Sequence, residues 1–270
     1  MDTRPIGVFD SGIGGLTTVK KLIEYLPGED IIYLGDTGRV PYGSKSKETI
    51  IKYAFQDARF LTSHDIKAMI IACNSASSSA FDDLNRNFDM PVYEVISAAV
   101  RAASQSTKNG KIGVIGTKAT INSGAYLAAL KEVAPQAEVY CKACPLFVPL
   151  VEDGFVEKND VAALSVANRY LGEMSKACVD TLILGCTHYP LLSEVILKVM
   201  GDGVTLIDSG AETARHVARD LENRGMLSDN KSEGAIRYFV TDSVESFAEP
   251  ASRFLESNIR GMVQQISLDT

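Results

Sequence analysis

The sequence predicts an α/β protein built on mostly parallel sheets, and three observations carry that prediction. Short runs rich in Val and Ile alternate with segments of helical periodicity from end to end, the order expected when each strand is followed by a crossover helix. Two apolar runs, Met69-Ile70-Ile71-Ala72 and Leu182-Ile183-Leu184-Gly185, each end in a cysteine, Cys73 and Cys186, followed by small polar residues. Pro5-Ile6-Gly7-Val8-Phe9-Asp10-Ser11 is echoed by Lys111-Ile112-Gly113-Val114-Ile115-Gly116-Thr117, with a cysteine cluster following each at similar distance. That echo suggests two similar half-units joined near residues 97–108.

Taken in order, strands are expected at 6–9, 31–34, 68–72, 92–95, 112–115, 137–141, 181–184, 204–207 and 236–240. Between the first two, Leu16, Val19, Leu22, Ile23 and Leu26 form a helical stripe that stops at Pro27-Gly28. Ile51, Ala54, Phe55, Ala58 and Leu61 form another. After the second cysteine cluster, Pro190 suits a first helical turn, and Leu192, Val195, Ile196 and Val199 follow at helical spacing up to Gly201-Asp202-Gly203. Pro250 falls inside the helical pattern of 242–254 and predicts a split or restarted last helix.

A chain of 270 residues that is 46% hydrophobic has enough apolar surface for one large domain or two medium ones. Its net charge of −7 argues against a nucleic-acid or polyanion surface, which needs clustered Lys and Arg. No apolar run approaches a membrane span, and the N-terminus leads into a strand pattern without a signal-peptide core. Five scattered cysteines suit reduced thiols in a cytoplasm better than a disulfide framework. The expected partner is a small molecule.

In a parallel α/β fold, ligands bind at the carboxyl ends of strands. Cys73 and Cys186 at two such ends suggest two thiols facing one small molecule and moving a proton across it. A free thiol is mostly protonated at neutral pH, so each needs a nearby charge, helix N–H groups or a partner base. The strand-to-helix turn offers helix N–H groups at both, and His188 adds a base beside Cys186. Cys73 has no such histidine, so a carboxylate must serve it.

Asp10-Ser11-Gly12-Ile13-Gly14-Gly15 makes a glycine-rich turn without dinucleotide spacing. It reads either as a tight turn with a cap, or as an amino-acid site in which Asp10 meets an ammonium and backbone N–H groups meet a carboxylate. Gly38-Arg39-Val40-Pro41-Tyr42-Gly43 is a loop whose backbone donors either converge on a ligand or simply turn the chain. Thr117, Thr120 and Ser123 supply hydroxyls, of which helix capping explains one. Cys141-Lys142-Ala143-Cys144 has the spacing of a zinc or redox pair but no second ligand pair, so no metal is expected. Glu152 follows an apolar run and either points into a cleft or lies in solvent.

Taken together, Phe9-Asp10-Ser11-Gly12-Ile13-Gly14-Gly15-Leu16, Pro41-Tyr42-Gly43, Ala72-Cys73-Asn74, Cys144-Pro145-Leu146-Phe147-Val148-Pro149-Leu150-Val151-Glu152 and Gly185-Cys186-Thr187-His188-Tyr189-Pro190 closely resemble the glutamate racemases of the aspartate/glutamate racemase family. The resemblance spans nearly the whole chain. It implies a cofactor-independent racemase that supplies D-glutamate for bacterial peptidoglycan, with two related α/β domains and the active site in the cleft between them. The expected division is residues 1–97 with 208–270, and 98–207.

The resemblance makes Cys73 the base toward D-glutamate and Cys186 the base toward L-glutamate, assisted by Asp10 and His188 respectively, with Glu152 a further acid. Substrate contacts are expected from Asp10, Ser11, Tyr42, Gly43, Asn74, Ser75, Thr117, Thr120, Thr187 and His188. A homodimer is expected from the same likeness. Ser75 departs from the family, which most often has threonine after Cys-Asn. The alternatives to weigh are racemisation of aspartate, a thiol hydrolase using one cysteine as nucleophile, and a non-catalytic amino-acid-binding module.

Overall fold

The computed structural model describes residues 1–230, 232–255, 259 and 261–268. The chain opens with β1 (Ile6–Asp10), α1 (Leu16–Tyr25), β2 (Ile31–Gly35), α2 (Lys47–Thr62), β3 (Ala68–Ile71), α3 (Asn74–Asn87), β4 (Val92–Glu94) and α4 (Val95–Ser106). It continues through β5 (Lys111–Gly116), α5 (Lys118–Asn122), α6 (Ala125–Val133), β6 (Glu138–Ala143), α7 (Phe147–Glu152), α8 (Val161–Lys176), β7 (Thr181–Gly185), α9 (Ser193–Met200), β8 (Thr205–Asp208) and α10 (Ser209–Asn223). It ends with β9 (Ile236–Val240), α11 (Val244–Leu255) and β10 (Val263–Gln265).

Two parallel sheets result, as the alternation of patterns predicts. One has the order β10-β9-β2-β1-β3-β4, the other β6-β5-β7-β8. The strands pair in parallel throughout, for example Val8 with Tyr33 and with Ile70, and Val114 with Cys141 and with Ile183. The order β2-β1-β3-β4 repeats as β6-β5-β7-β8, so the echo between residues 5–11 and 111–117 corresponds to the same central strand in each sheet. At both centres the chain leaves one strand for the left neighbour and later returns to the right. A crevice opens at the carboxyl ends where those paths diverge.

The central strands β1, β3 and β7 are buried along their length, which is why they read as continuous apolar runs rather than alternating ones. α1 and α10 pack on each other, and α10 also packs on α4. The helix α4 in turn covers β7 and β8, so the boundary expected at 97/98 falls inside a helix that crosses between the sheets. Apolar burial is continuous across the two halves: one cluster runs from Ile6, Val8 and Leu16 through Leu184, Tyr189 and Val217.

Three expectations need correction. Ile23 does not belong to the buried stripe of α1 and is exposed, because the helix buries Leu16, Val19 and Leu22 in the core and turns Ile23 to solvent. Pro250 does not split the last helix, which runs unbroken as Val244–Leu255. A proline there removes one backbone hydrogen bond, and the burial of Phe247, Ala248, Ala251, Phe254 and Leu255 on the same helix offsets it. β10 was not expected; it is a three-residue edge strand of which only Val263 is buried, too short and too polar to show a pattern.

Among the described residues no helix is long and apolar enough to cross a membrane. The five cysteines are free thiols, so Cys141 and Cys144 are not joined.

Candidate active site

The carboxyl ends of β1 and β3 from one sheet and of β5 and β7 from the other meet at a cavity of about 290 Å³. Its lining includes Asp10 and Ser11 after β1, Tyr42 and Gly43 from the loop after β2, Cys73, Asn74 and Ser75 after β3, and Thr117 after β5. Glu152 at the end of α7 and Cys186, Thr187 and His188 after β7 complete the set of expected residues that line it. One expected residue is elsewhere. Thr120 is fully buried behind the wall, where its hydroxyl lies 3.0 Å from Thr117 Oγ1 and 3.4 Å from Ser75 Oγ. It holds two residues that face the cavity and does not face it itself.

The Cys73 side is built on a helix start. Cys73 precedes α3 and its Sγ lies 3.7 Å from Ser11 Oγ, to which the thiol donates. Asp10 Oδ2 accepts from the Gly15 N–H at 2.8 Å, at the entry to α1, whereas Asp10 Oδ1 is buried with no hydrogen-bond partner among the described residues. Burial raises the Asp10 carboxyl above its ordinary range, with the charge of His188 and the Gly15 and Ser11 N–H groups opposing. Burial and then the negative charge of Asp10 push the Cys73 thiol far up, against the pull of the Ala76 N–H. Helix N–H groups are present at this thiol, as expected, and favour its thiolate, while burial beside a carboxylate opposes them.

The Cys186 side is built on a turn. The Tyr189 N–H bonds to the Cys186 carbonyl at 3.1 Å, Tyr189–Leu192 form a 3₁₀ turn containing Pro190, and α9 begins only at Ser193. The expected helix N-terminus is thus displaced from Cys186, because the Pro190 turn intervenes. A histidine takes its place. His188 Nδ1 lies 3.9 Å from Cys186 Sγ and 3.5 Å from Thr187 Oγ1, while Nε2 lies 3.0 Å from Glu152 Oε1. Burial alone lowers the basicity of His188, but the Cys186 and Glu152 hydrogen bonds and charges outweigh it and raise the ring to about 10. His188 is fixed between the Cys186 sulfur and a half-exposed carboxylate, neighbours that favour its protonated form.

The remaining polar residues are held from behind. Asn74 Oδ1 accepts from the Tyr126 hydroxyl at 2.6 Å and Asn74 Nδ2 donates to Ser209 Oγ at 3.2 Å, which fixes the amide orientation. Ser75 Oγ and Thr117 Oγ1 are 2.9 Å apart and tie the two sheets together at the site. Thr17 Oγ1 donates to the Thr187 carbonyl at 3.1 Å. Gly14 explains part of the glycine-rich turn: a Cβ there would lie 2.5 Å from His188 Nδ1 and would also strike Thr187. Glycine is needed so that the first turn can pass directly beneath the second cysteine cluster.

Sequence reasoning missed several residues. Val148 and Pro149 line the cavity although their apolar run reads as packing; α7 buries Phe147 and Val151 on one face and turns Val148 and Glu152 toward the site. Helical spacing from Val148 to Glu152 was the available signal. Tyr126, Ser209, Thr17 and Phe254, whose ring meets His188 edge to face at 5.7 Å, act across long sequence separations and leave no local signal. Among the described residues no group of three or more His, Cys, Asp or Glu side chains is arranged to hold a metal ion.

Comparison with known proteins gives a consistent answer. The sequence matches the Asp/Glu/hydantoin racemase family over residues 6–217. It is 48% identical over 269 residues to the glutamate racemase of Geobacter metallireducens, covering 100% of this chain and 98% of that protein. The fold superposes on the glutamate racemase of Francisella tularensis in complex with D-glutamate with a TM-score of 0.92 at 42% identity, covering 100% and 99% of the two chains. It superposes on glutamate racemase isoform RacE1 of Bacillus anthracis with a TM-score of 0.94 at 40% identity, covering 99% of each. This chain belongs to the Asp/Glu/hydantoin racemase family.

Proposed function

We propose that this protein is a glutamate racemase that interconverts L- and D-glutamate by proton transfer between two cysteines, without a cofactor, and that its D-glutamate serves peptidoglycan synthesis. The observation that supports the mechanism is the pairing of Cys73 and Cys186, one from each sheet, in a single small cavity with a different proton-handling partner beside each. In the direction from L- to D-glutamate, Cys186 as thiolate removes the α-proton, and the His188 imidazolium provides its counter-charge. Cys73 delivers its thiol proton to the other face of the planar carbanion. The turnover leaves Cys186 as thiol and Cys73 as thiolate, the form that runs the reverse direction with the roles exchanged. Exchange with water of one proton lost from Cys186 and one gained by Cys73 restores the starting form, with His188 and Asp10 beside the two sulfurs.

An amino-acid α-proton is weakly acidic, so the developing negative charge needs preorganised donors in a site shielded from water. Asn74, Ser75, Thr117, Thr187 and the backbone of Tyr42 and Gly43 are the donors we assign to the substrate's polar groups. Tyr42 contributes its backbone only, because its hydroxyl is engaged elsewhere. The five free thiols suit a reducing cytoplasm, where we place the enzyme. The homodimer belongs to this reading by family likeness.

The test is incubation of metal-free protein with L-glutamate in D2O, following optical rotation and Cα deuterium together, with L-aspartate alongside. Loss of rotation with deuterium entering at Cα is the expected result for glutamate. Deuterium exchange with aspartate alone would transfer the assignment to that substrate, and no exchange with either would end the racemase reading. A covalent acyl-enzyme on Cys186, with Cys73 dispensable, would make the protein a thiol hydrolase.

A further inference from the structure

Beneath the loop that carries Val40, Pro41, Tyr42 and Gly43 lies a buried cluster of Asp36, Arg39, Tyr42 and Asp57 that the chemistry above does not use. Asp36 directly follows β2, Asp57 lies on α2, and both are fully buried. Arg39 Nε donates to Asp36 Oδ2 at 2.6 Å and Arg39 Nη2 to Asp57 Oδ1 at 3.1 Å. The guanidinium also covers the Tyr53 ring at 4.2 Å from its centroid. The Tyr42 hydroxyl touches both carboxylates, Asp57 Oδ2 at 2.9 Å and Asp36 Oδ2 still closer.

This arrangement is one proton short if both carboxylates are ionised. A phenol donates a single hydrogen bond, and an ionised carboxylate donates none. One of the two contacts to Tyr42 therefore needs a proton on a carboxyl oxygen. Charge gives the same count: one guanidinium faces two buried carboxylates, and a single added proton makes the cluster neutral. Besides the Tyr42 hydroxyl, which lies closer to Asp36, Asp36 accepts from Arg39 Nε and from the Thr241 hydroxyl at 2.9 Å, whereas among the described residues Asp57 accepts from Arg39 Nη2 alone.

We propose that Asp57 carries a proton in the folded protein and donates it to Tyr42 Oη, which donates to Asp36, and that this chain, closed by Arg39, positions residues 40–43 against the cavity. Arg39 and Tyr42 bracket Val40 and Pro41 in the sequence, so anchoring both on one pair of carboxylates fixes the cavity wall between them. Burial and the Asp36 charge raise the Asp57 carboxyl well above its ordinary range, with Arg39 opposing. The titratable and charged groups facing it are Asp36 just after β2, Asp10 at the end of β1, Arg39 and Tyr42 on the loop, and Tyr53 on α2. Asp36, Asp57 and Arg39 are positioning residues; none of them lines the cavity.

The kinetic arm rests on the glutamate racemase reading, and a spectroscopic arm does not. Asp57→Asn keeps a donor toward Tyr42 and an acceptor toward Arg39, so KM for L-glutamate is expected within about twofold of wild type. Asp57→Ala and Asp36→Asn are expected to raise KM on the order of tenfold, with a smaller change in kcat, as for a lost hydrogen bond to a charged group. In wild type KM rises in alkaline solution as Asp57 loses its proton, and Asp57→Asn abolishes that rise. Independently, the carboxyl ¹³C resonance of Asp57, assigned by its loss in Asp57→Asn, should keep the position of a protonated acid from about pH 5 to about pH 8. An ionised Asp57 in that range, or a KM in Asp57→Asn as high as in Asp57→Ala, overturns the proposal. If wild type does not turn over glutamate, the racemase reading falls and the resonance still decides the proton.

Discussion

Cys73 and Cys186 leave equivalent strands of two sheets with the same strand order, yet the chemistry around them differs. Cys73 stands at the start of a ten-residue-plus α-helix beside a buried carboxylate with one unpartnered oxygen, and burial with that carboxylate keeps its thiol protonated. Cys186 stands at a proline turn beside His188, which a carboxylate backs. One sulfur has a hydroxyl and a carboxylate as neighbours and the other a histidine. The repeated strand order thus places two strand ends at one cavity, and the few residues that follow each give the two sulfurs different neighbours. A two-thiol proton transfer needs one sulfur loaded as acid and one free as base, so the asymmetry is part of the mechanism we propose.

The sharpest break of this comparison is removal of each sulfur. Cys73→Ser and Cys186→Ser should each lower racemisation by about 10²–10⁴-fold, the usual contribution of a positioned acid or base. Residual exchange should separate them. Cys73→Ser retains the base we assign to L-glutamate, so slow deuterium entry into L-glutamate without inversion is expected in D2O. Cys186→Ser should show the same only with D-glutamate. The opposite pattern would reverse the assignment of the two thiols.

The partners come next. His188→Asn and Asp10→Asn should each reduce kcat/KM on the order of 10²-fold. Because enantiomers have equal free energies, kcat/KM must fall equally in both directions whichever partner is lost. The difference must be sought in the isotope effect: α-deuterated L-glutamate should show the larger increase in His188→Asn, and α-deuterated D-glutamate the larger increase in Asp10→Asn. Equal changes in both variants would mean that the partners act on the site as a whole.

The legibility of the sequence follows the same division. Parallel strands were readable because β1, β3 and β7 are buried on both faces and therefore appear as apolar runs. The cysteines were readable because each ends such a run. What escaped was the physical state of each sulfur. Helix N–H groups near Cys73 suggested activation, but local sequence does not reveal that the residue is almost fully buried against Asp10. At Cys186, Pro190 suits a helix start, yet it opens a 3₁₀ turn first and postpones α9 to Ser193. The supports of Asn74 from Tyr126 and Ser209 join residues far apart in the chain, and no periodicity encodes them. Thr120 shows the limit of reading hydroxyls from spacing, since it braces the wall it was expected to form.

A smaller effect sharpens the Cys186 side alone. Glu152 is half exposed, and it is one of the groups that raise His188 toward 10. Glu152→Gln should lower the His188 pKa, moving the alkaline limb of the rate profile to lower pH with less than about tenfold loss at its maximum. The linkage has a definite sign. A ring whose pKa is raised on folding contributes stability that is fully present below about 6.5 and is lost as pH rises through about 10. Thermal melts of wild type should therefore fall across that alkaline window more steeply than those of Glu152→Gln. Identical melts and rate profiles would place Glu152 outside the His188 system.

The smallest expected effect lies at Ser75, where the two sheets touch through the hydroxyls of Ser75 and Thr117. Threonine, which the family most often carries there, keeps the hydroxyl and adds one methyl to a side chain that is 2% exposed. A buried methyl that finds space contributes about 0.8 kcal/mol, whereas one that crowds its neighbours costs roughly 1–3 kcal/mol. Ser75→Thr should raise stability by up to about 0.8 kcal/mol, read as a denaturant midpoint shift at unchanged slope. Because the hydroxyl bridge to Thr117 survives, kcat/KM should stay within about threefold in both directions, less than the loss of one hydrogen bond. A larger loss shared by L- and D-glutamate, with stability unchanged, would mean that the extra methyl reaches the cavity. The site would then be tuned at the seam between the sheets as well as at its two sulfurs.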